Sequence, residues 1–433
     1  MSAHSRTFPV ILVVLAAACD KAPEDGEKPP VTPAPTVTPP GTTPPAKGTR
    51  PAPVPAKREM PKFPPLTEEI ARRVLRGQLD RLGGDDVSRQ ALLYLADLGD
   101  RAAVNVIHEK LLVLANGKYE DLSAAAVGAE ASLAFAEPGA AATALKLAKQ
   151  YTADEEDADE YLVRALARID GPERAEATAA LVKIADGDDE QIATLAVEIL
   201  ARNAAKEARA TFLRIAKDEN AEGRIRGSAV AGLLRIDDPA GKELAEKLVN
   251  EASKPDNAAG PQPEDVAAGL GIEGAVETIP YIQKLLDASL AEEAAGTVWV
   301  ADEATLALAR IHAKGGGTAL VPWLKELAKK SDGEYEDAAA YALWALGDDA
   351  SVPIVATTLE GSVAAWSTPS NMDPAVDILD VAARRGTAAN PPLRAIVDSA
   401  AQIDPASAEK GLSASLISLN LAAAHAFLKS GGK

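Results

Sequence analysis

A break in the helical pattern returns every 33 to 40 residues along most of this 433-residue chain, and that period limits the fold more than any other feature. The breaks fall at Leu98-Gly99-Asp100, Pro138-Gly139, Ile169-Asp170-Gly171-Pro172, Asn203-Ala204, Ile236-Asp237-Asp238-Pro239, Ile272-Glu273-Gly274, His312-Ala313-Lys314, Leu346-Gly347-Asp348 and Arg385-Gly386. Between them apolar residues recur three and four apart, as in Leu162, Ala165, Leu166 and Ile169, or Val230, Leu233 and Leu234. That is the spacing of an amphipathic helix. Each interval has room for two helices of about three to four turns with their connections. One such pair cannot bury its own apolar face, so the pairs must stack, and the breaks imply about nine of them. No segment alternates apolar and polar residues for long enough to require a sheet.

Composition points the same way. Apolar residues make up 47% of the chain but aromatics only 4%, so Ala, Leu, Val and Ile must fill the interior, which suits closely packed helices. The expected class is all-α.

Ala345-Leu346-Gly347-Asp348-Asp349-Ala350-Ser351-Val352-Pro353 reads as a second helix, a tight turn and the start of the next helix. Arg89-Gln90-Ala91-Leu92 through Leu98-Gly99-Asp100-Arg101-Ala102-Ala103-Val104 is a second copy, and Arg226 through Ala240 a third. At these residues the chain resembles the HEAT-like repeat family over most of positions 67 to 400, although the copies around 204, 274 and 313 lack the Gly-Asp turn. The resemblance implies a right-handed α-solenoid with extended surfaces for protein partners and no shared chemistry. Armadillo and tetratricopeptide stacks share the same outline. Two insertions, Ala252 to Asp265 and Gly361 to Pro374, interrupt the rhythm, and Lys410 to Leu428 reads as a capping helix.

The amino terminus reads as an address. Phe8 to Ala18 is an eleven-residue apolar run behind His4 and Arg6, too short to cross a bilayer, so residues 1 to 18 read as a signal peptide. Leu15-Ala16-Ala17-Ala18 leads into Cys19, the only cysteine in the chain. This resembles the lipobox of bacterial lipoproteins, which implies lipidation of Cys19 and a membrane anchor through that lipid. Ala16 stands where the family more often has a larger aliphatic residue. Asp20 resembles an inner-membrane retention signal whose rule varies between lineages, so the outer membrane and the periplasmic face of the inner membrane both stay open. Residues 21 to 66 contain fifteen of the thirty prolines and no apolar periodicity. They read as an unfolded linker that polyproline II could extend to about 140 Å. The division is therefore leader 1–18, lipidated cysteine and linker 19–66, and helical array 67–433.

Charge narrows the partners. The chain carries a net −19, and residues 67 to 433 hold 37 basic against 59 acidic side chains, a net of −22. Such a surface repels nucleic acid and anionic lipid.

The sequence offers no catalytic set, cofactor site or metal site. Gly269-Leu270-Gly271-Ile272-Glu273-Gly274 has dinucleotide-binding spacing but follows no strand and falls where the repeat needs a turn. His108, His312 and His425 stand far apart, without partners at metal-ligand or general-base spacing, and are read as surface or inter-helix residues. The acidic runs Asp154-Glu155-Glu156-Asp157, Asp186-Gly187-Asp188-Asp189-Glu190 and Asp332-Gly333-Glu334 recur just before a new helix, where carboxylates favour the helix dipole, and they lack a calcium-loop pattern. Trp299, Trp323, Trp344 and Trp366 cluster in one part of the chain. Trp323 and Trp344 lie in helical stripes and read as core. Trp366 lies in a polar insertion and is the candidate interface residue.

The sequence thus predicts a membrane-anchored envelope lipoprotein that binds another protein through its array, with no small-molecule substrate. A structural tether or assembly factor without a dedicated partner surface is an alternative reading. A lyase-like enzyme or ligand-binding array is another.

Overall fold

The computed structural model describes residues 63–153, 158–254, 260–291, 297–312, 320–330, 336–364, 373–407 and 413–431. These residues form twenty α-helices, several short 3-10 turns and one small hairpin, so the protein is all-α in class. The odd-numbered helices are α1 (Glu68–Arg76), α3 (Ala102–Lys110), α5 (Ala140–Ala153), α7 (Arg174–Ala185), α9 (Arg209–Lys217), α11 (Ala240–Ala252), α13 (Ile279–Ala291), α15 (Val321–Lys330), α17 (Val352–Ala364) and α19 (Pro391–Ala400). The even-numbered helices are α2 (Asp86–Asp97), α4 (Leu122–Ala134), α6 (Glu160–Ala167), α8 (Glu190–Arg202), α10 (Gly223–Arg235), α12 (Pro263–Leu270), α14 (Thr297–Ile311), α16 (Glu336–Ala345), α18 (Asp373–Arg385) and α20 (Ser413–Lys429).

Local chemistry fixes where the even helices begin and end. Asp85, Asp121, Asp159 and Asp189 stand immediately before α2, α4, α6 and α8. Each side chain accepts a hydrogen bond from the backbone amide three residues on, at 2.7 to 3.0 Å. A carboxylate there satisfies a helix-end amide that has no partner within the helix. At the other end one turn recurs. The amides of Asp100, Glu137, Ala205, Asp238, Asp348 and Thr387 donate to Leu95, Ser132, Leu200, Leu233, Leu343 and Ala382, closing the same six-residue loop each time. The residue before each donor is left-handed: Gly99, Ala136, Ala204, Asp237, Gly347 and Gly386 all have positive φ. Glycine is the residue such a turn favours. The copy at 204, which lacks Gly-Asp in sequence, nonetheless makes the turn, with Ala204 held at φ +48°.

Each odd helix packs on the even helix that follows it, and consecutive even helices pack on one another from α2 to α16. The even row is the more buried: in α10 every residue from Ile225 to Leu234 is buried. Close approach makes this possible. A Cβ on Gly269 of α12 would stand 2.1 Å from the Arg224 carbonyl oxygen of α10, so only glycine fits this crossing.

Beyond α16 the contacts run through α17 to α18 and α19, and then to α20, which also packs on α1 and α2. The sequence reading makes Lys410 to Leu428 a capping helix, and the structure places α20 there as Ser413–Lys429. Leu416, Leu419, Leu421, Ala422, Ala423, Ala424, Ala426 and Phe427 point all round α20 and are all buried, so this helix requires neighbours on every side. It finds them at both ends of the chain, and residues 66–135 and 340–427 share one apolar cluster.

Two details depart from the sequence reading. Leu66, assigned to the end of the linker, is buried. The Gln402 side chain donates to the Pro64 carbonyl at 2.8 Å, so the chain enters the helical body against α19. A two-stranded hairpin, β1 (Leu114–Ala115) and β2 (Lys118–Tyr119), separates α3 from α4. Asn116 and Gly117, both at positive φ, form its turn, the dipeptide such hairpins favour. The Gln150 side chain holds both backbone groups of Tyr119, at 3.0 and 3.1 Å. No helix among the described residues is long and apolar enough to cross a membrane.

Candidate functional site

The even row buries charge as well as methyl groups. Arg89 of α2 bonds both oxygens of Glu130 of α4, at 2.5 and 3.0 Å, and Arg168, which follows α6, donates to Glu130 at 2.9 Å. Glu130 is 1% exposed. Burial alone would raise its pKa, but the two guanidinium groups outweigh burial and bring it down to about 2. Three successive even helices are therefore tied through one carboxylate.

Arg168 belongs to a set. Arg202 ends α8, Arg235 ends α10, Arg310 lies one residue before the end of α14, and Arg385 ends α18. The sequence signal is the triplet Leu-Ala-Arg at 166–168, 200–202 and 308–310, with Leu233-Leu234-Arg235 as a variant, and the motif reading passed over it. A cation there faces the negative end of its helix. Most of these arginines also reach beyond their own turn. Arg235 donates to the Glu273 carbonyl at 2.5 Å. Arg310 pairs with Glu303 at 2.5 Å. Arg385 donates to the Trp344 carbonyl and to Asp349, both at 2.6 Å. Arg202 is the exception, with no hydrogen bond or ion pair to any described residue. Desolvation pushes its pKa down. Glu273 and Glu198 act against that shift, while Arg168 and Arg164 add to it.

A second polar cluster lies where α20 meets α2. The His425 imidazole stacks on Tyr94, with ring centroids 4.1 Å apart and planes 7° from parallel. His425 Nε2 donates to Asp97 at 2.8 Å, and Lys429 reaches the same carboxylate at 3.1 Å. The Tyr94 hydroxyl donates to Asp380 of α18 at 2.6 Å and accepts from Gln90 at 3.0 Å. Burial raises the pKa of Asp380, with Asp97 adding to the rise, while His425, Tyr94 and Arg384 oppose it. Asp97 is lowered: burial would raise it, but His425 and Lys429 prevail. A His-Asp pair can serve general-base chemistry, but this imidazole is only 6% exposed. One of its faces is covered, Nε2 is engaged, and Nδ1 is buried without a partner. With the ring enclosed in this way, the cluster is a latch between the two ends of the chain.

The residues singled out by sequence fall as follows. Cys19 and Trp366 lie outside the described residues, as do the acidic runs 154–157 and 332–334. Trp344 is fully buried under Arg385, and Trp323 packs partly buried against the core. His108 is exposed on α3 and His312 follows α14. His425 is an inter-helix residue, with its partner 328 positions away, far beyond any sequence spacing. Gly269 serves the crossing of α12 with α10, and Gly274 takes φ +76° in the turn that follows. In the run 186–190, Asp189 caps α8 and Asp186 pairs with Arg214 at 2.5 Å. Among the described residues no group of three or more His, Cys, Asp or Glu side chains is placed to hold a metal ion.

No protein-family model matches the chain, and no curated protein sequence matches it.

Proposed function

We propose that this protein is an envelope lipoprotein, anchored through a lipid on Cys19, whose helical array is a HEAT-like scaffold for a protein partner. The observation that carries this reading is the order of parts along the chain. A leader ends at a lone cysteine, a proline-rich span follows, and a helical body begins with α1 at Glu68. That body offers helix after helix to a partner, and its −22 charge over residues 67–433 favours a basic or neutral protein over nucleic acid. The membrane is the outer one or the periplasmic face of the inner one, and Trp366 is the candidate contact residue.

Metabolic labelling with a fatty-acid analogue, followed by membrane fractionation of wild type and Cys19→Ala, tests the anchor. Label and membrane association should both disappear in the variant. An unlabelled, freely soluble wild type would remove the lipoprotein reading. The scaffold half is tested by placing a photo-crosslinking side chain at position 366 in intact cells. A discrete crosslinked protein, absent when the probe is moved to Lys149 on α5, is the expected result. Equal crosslinking from both positions would refute a dedicated surface.

A further inference from the structure

The hairpin between α3 and α4 carries a reactive pair that neither the helical packing nor the latch employs. Of the nine asparagines in the chain, Asn116 alone is followed by glycine. Asn116 and Gly117 are both exposed at the tip, and nothing stands within 4 Å of a Cβ built on Gly117. Among the described residues no hydrogen bond engages the Gly117 amide. The covalent chain places that nitrogen to close a five-membered ring on the Asn116 side-chain carbonyl, and glycine puts no Cβ in the way of closure.

We propose that Asn116 is a site of spontaneous deamidation, with water as the co-reactant, and that Gln150 sets its rate. Hydroxide removes the Gly117 amide proton, the nitrogen forms a bond to Asn116 Cγ, and the Cγ–Nδ2 bond breaks with release of ammonia. Water then opens the succinimide. Cleavage between nitrogen and Cγ leaves an aspartate at position 116, and cleavage between nitrogen and the backbone carbonyl carbon leaves an isoaspartate, whose main chain runs through Cγ. A planar ring here requires a backbone rotation that the closed turn resists. Both residues have positive φ, 52° and 81°, and Ala115 is paired with Lys118 across them. Reaction therefore waits for the hairpin to open. Strands of two residues are marginal by themselves. Gln150 of α5 holds this pair shut through both backbone groups of Tyr119, at 3.0 and 3.1 Å, with the Tyr119 ring buried under Lys146. Either product adds a negative charge, and isoaspartate also lengthens the main chain by one carbon inside the turn, which is incompatible with that pairing. The inference does not depend on the membrane anchor or on a protein partner.

The test is peptide mapping by mass spectrometry of the full chain, aged at neutral and at mildly acidic pH, for wild type, Gln150→Ala and Asn116→Gln. Wild type should convert at position 116 well before any other asparagine, and faster at neutral pH, where more of the amide is deprotonated. Gln150→Ala should speed conversion about fivefold to thirtyfold, the factor by which losing one or two net hydrogen bonds raises the open population. Asn116→Gln, whose longer side chain would have to close a six-membered ring, should stop it. If Gln150→Ala loses its helical circular dichroism, wild type in urea below its unfolding transition replaces it, and conversion should rise as the hairpin frays. An Asn116 that stays intact, or converts no faster than the other asparagines, overturns the site. A rate unchanged in folded Gln150→Ala, or flat across urea, overturns the role of Gln150.

Discussion

The middle of the array and the junction between its ends hold together by different means. In the middle, partners lie one helix pair apart: Arg168 and Glu130 are 38 residues apart, and Arg235 and Glu273 also 38. At the junction, His425 and Asp97 are 328 apart and Tyr94 and Asp380 are 286 apart. Loop closure becomes more costly only with the logarithm of length, about 0.6 kcal/mol per doubling, so three doublings add about 2 kcal/mol. Burying Leu416, Leu419 and Phe427 in the apolar cluster that the two ends share contributes about 1.5 to 3 kcal/mol each, which exceeds that cost. Closure is therefore favourable once the chain is complete, but it must come late, because its contacts are the least local in the molecule.

Substitutions at five positions can break or sharpen this contrast. The largest effect is expected from Glu130→Ala, which leaves the buried Arg89 and the half-buried Arg168 without their shared carboxylate. Removing one partner of a buried ion pair costs about 3 to 5 kcal/mol, readable by urea unfolding. The same residue gives a pH signature. Its folded pKa lies near 2, below the ordinary 4.5, so its contribution is complete above about pH 4.5 and is lost as the pH falls toward 2. Glu130→Gln should flatten that acid limb of the stability curve.

Gly269→Ala ranks next. Its new methyl would meet backbone atoms of α10 that cannot move independently, and about 3 kcal/mol of overpacking strain is expected. Hydrogen exchange should speed up in α10 and α12 and remain unchanged in α20. Asp97→Ala tests the junction in turn. Losing the His425 and Lys429 contacts should cost about 1 to 2 kcal/mol, with faster exchange confined to α1, α2 and α20. Since the folded pKa of Asp97 is depressed, this contribution is present at neutral pH and fades as the pH drops through the carboxylate range. Equal spreading of both effects through the whole chain would mean that middle and junction unfold as one unit.

What the sequence makes legible follows the same line. The helices and their turns are local, so hydropathy spacing and the breaks at 99, 204, 237 and 347 locate them; each of these positions is left-handed in the structure. The capping carboxylates are legible for the same reason. The junction is not, because no periodicity links Asp97 to His425, and an amphipathic reading of α20 cannot say that its second face meets α1 and α2. The helix-end arginines are an intermediate case. Their Leu-Ala-Arg triplets are visible in the sequence, but only the structure distinguishes Arg202, which lacks a partner, from Arg168, which has one.

The smallest effect tests whether the turn itself differs between the two regions. Gly99 ends α2 at the junction and Ala204 ends α8 in the middle, at φ +67° and +48°, and both turns close with the same backbone bond. An alanine in the left-handed region is strained by about 1 kcal/mol relative to glycine, whereas glycine loses more backbone freedom on folding, so the net difference is below or near that figure. Ala204→Gly should therefore stabilise the protein by about 0.5 to 1 kcal/mol, and Gly99→Ala should destabilise it by a similar amount. Nothing lies within 4 Å of a Cβ at Gly99, so no clash adds to the cost. Equal and opposite shifts in the urea midpoint would show that each turn is governed by its own helix end, whichever region it serves. A much larger loss at Gly99 would show that the junction constrains α2 more tightly than its local contacts require, because alanine's added stiffness would then be opposed by α20 as well as by the turn.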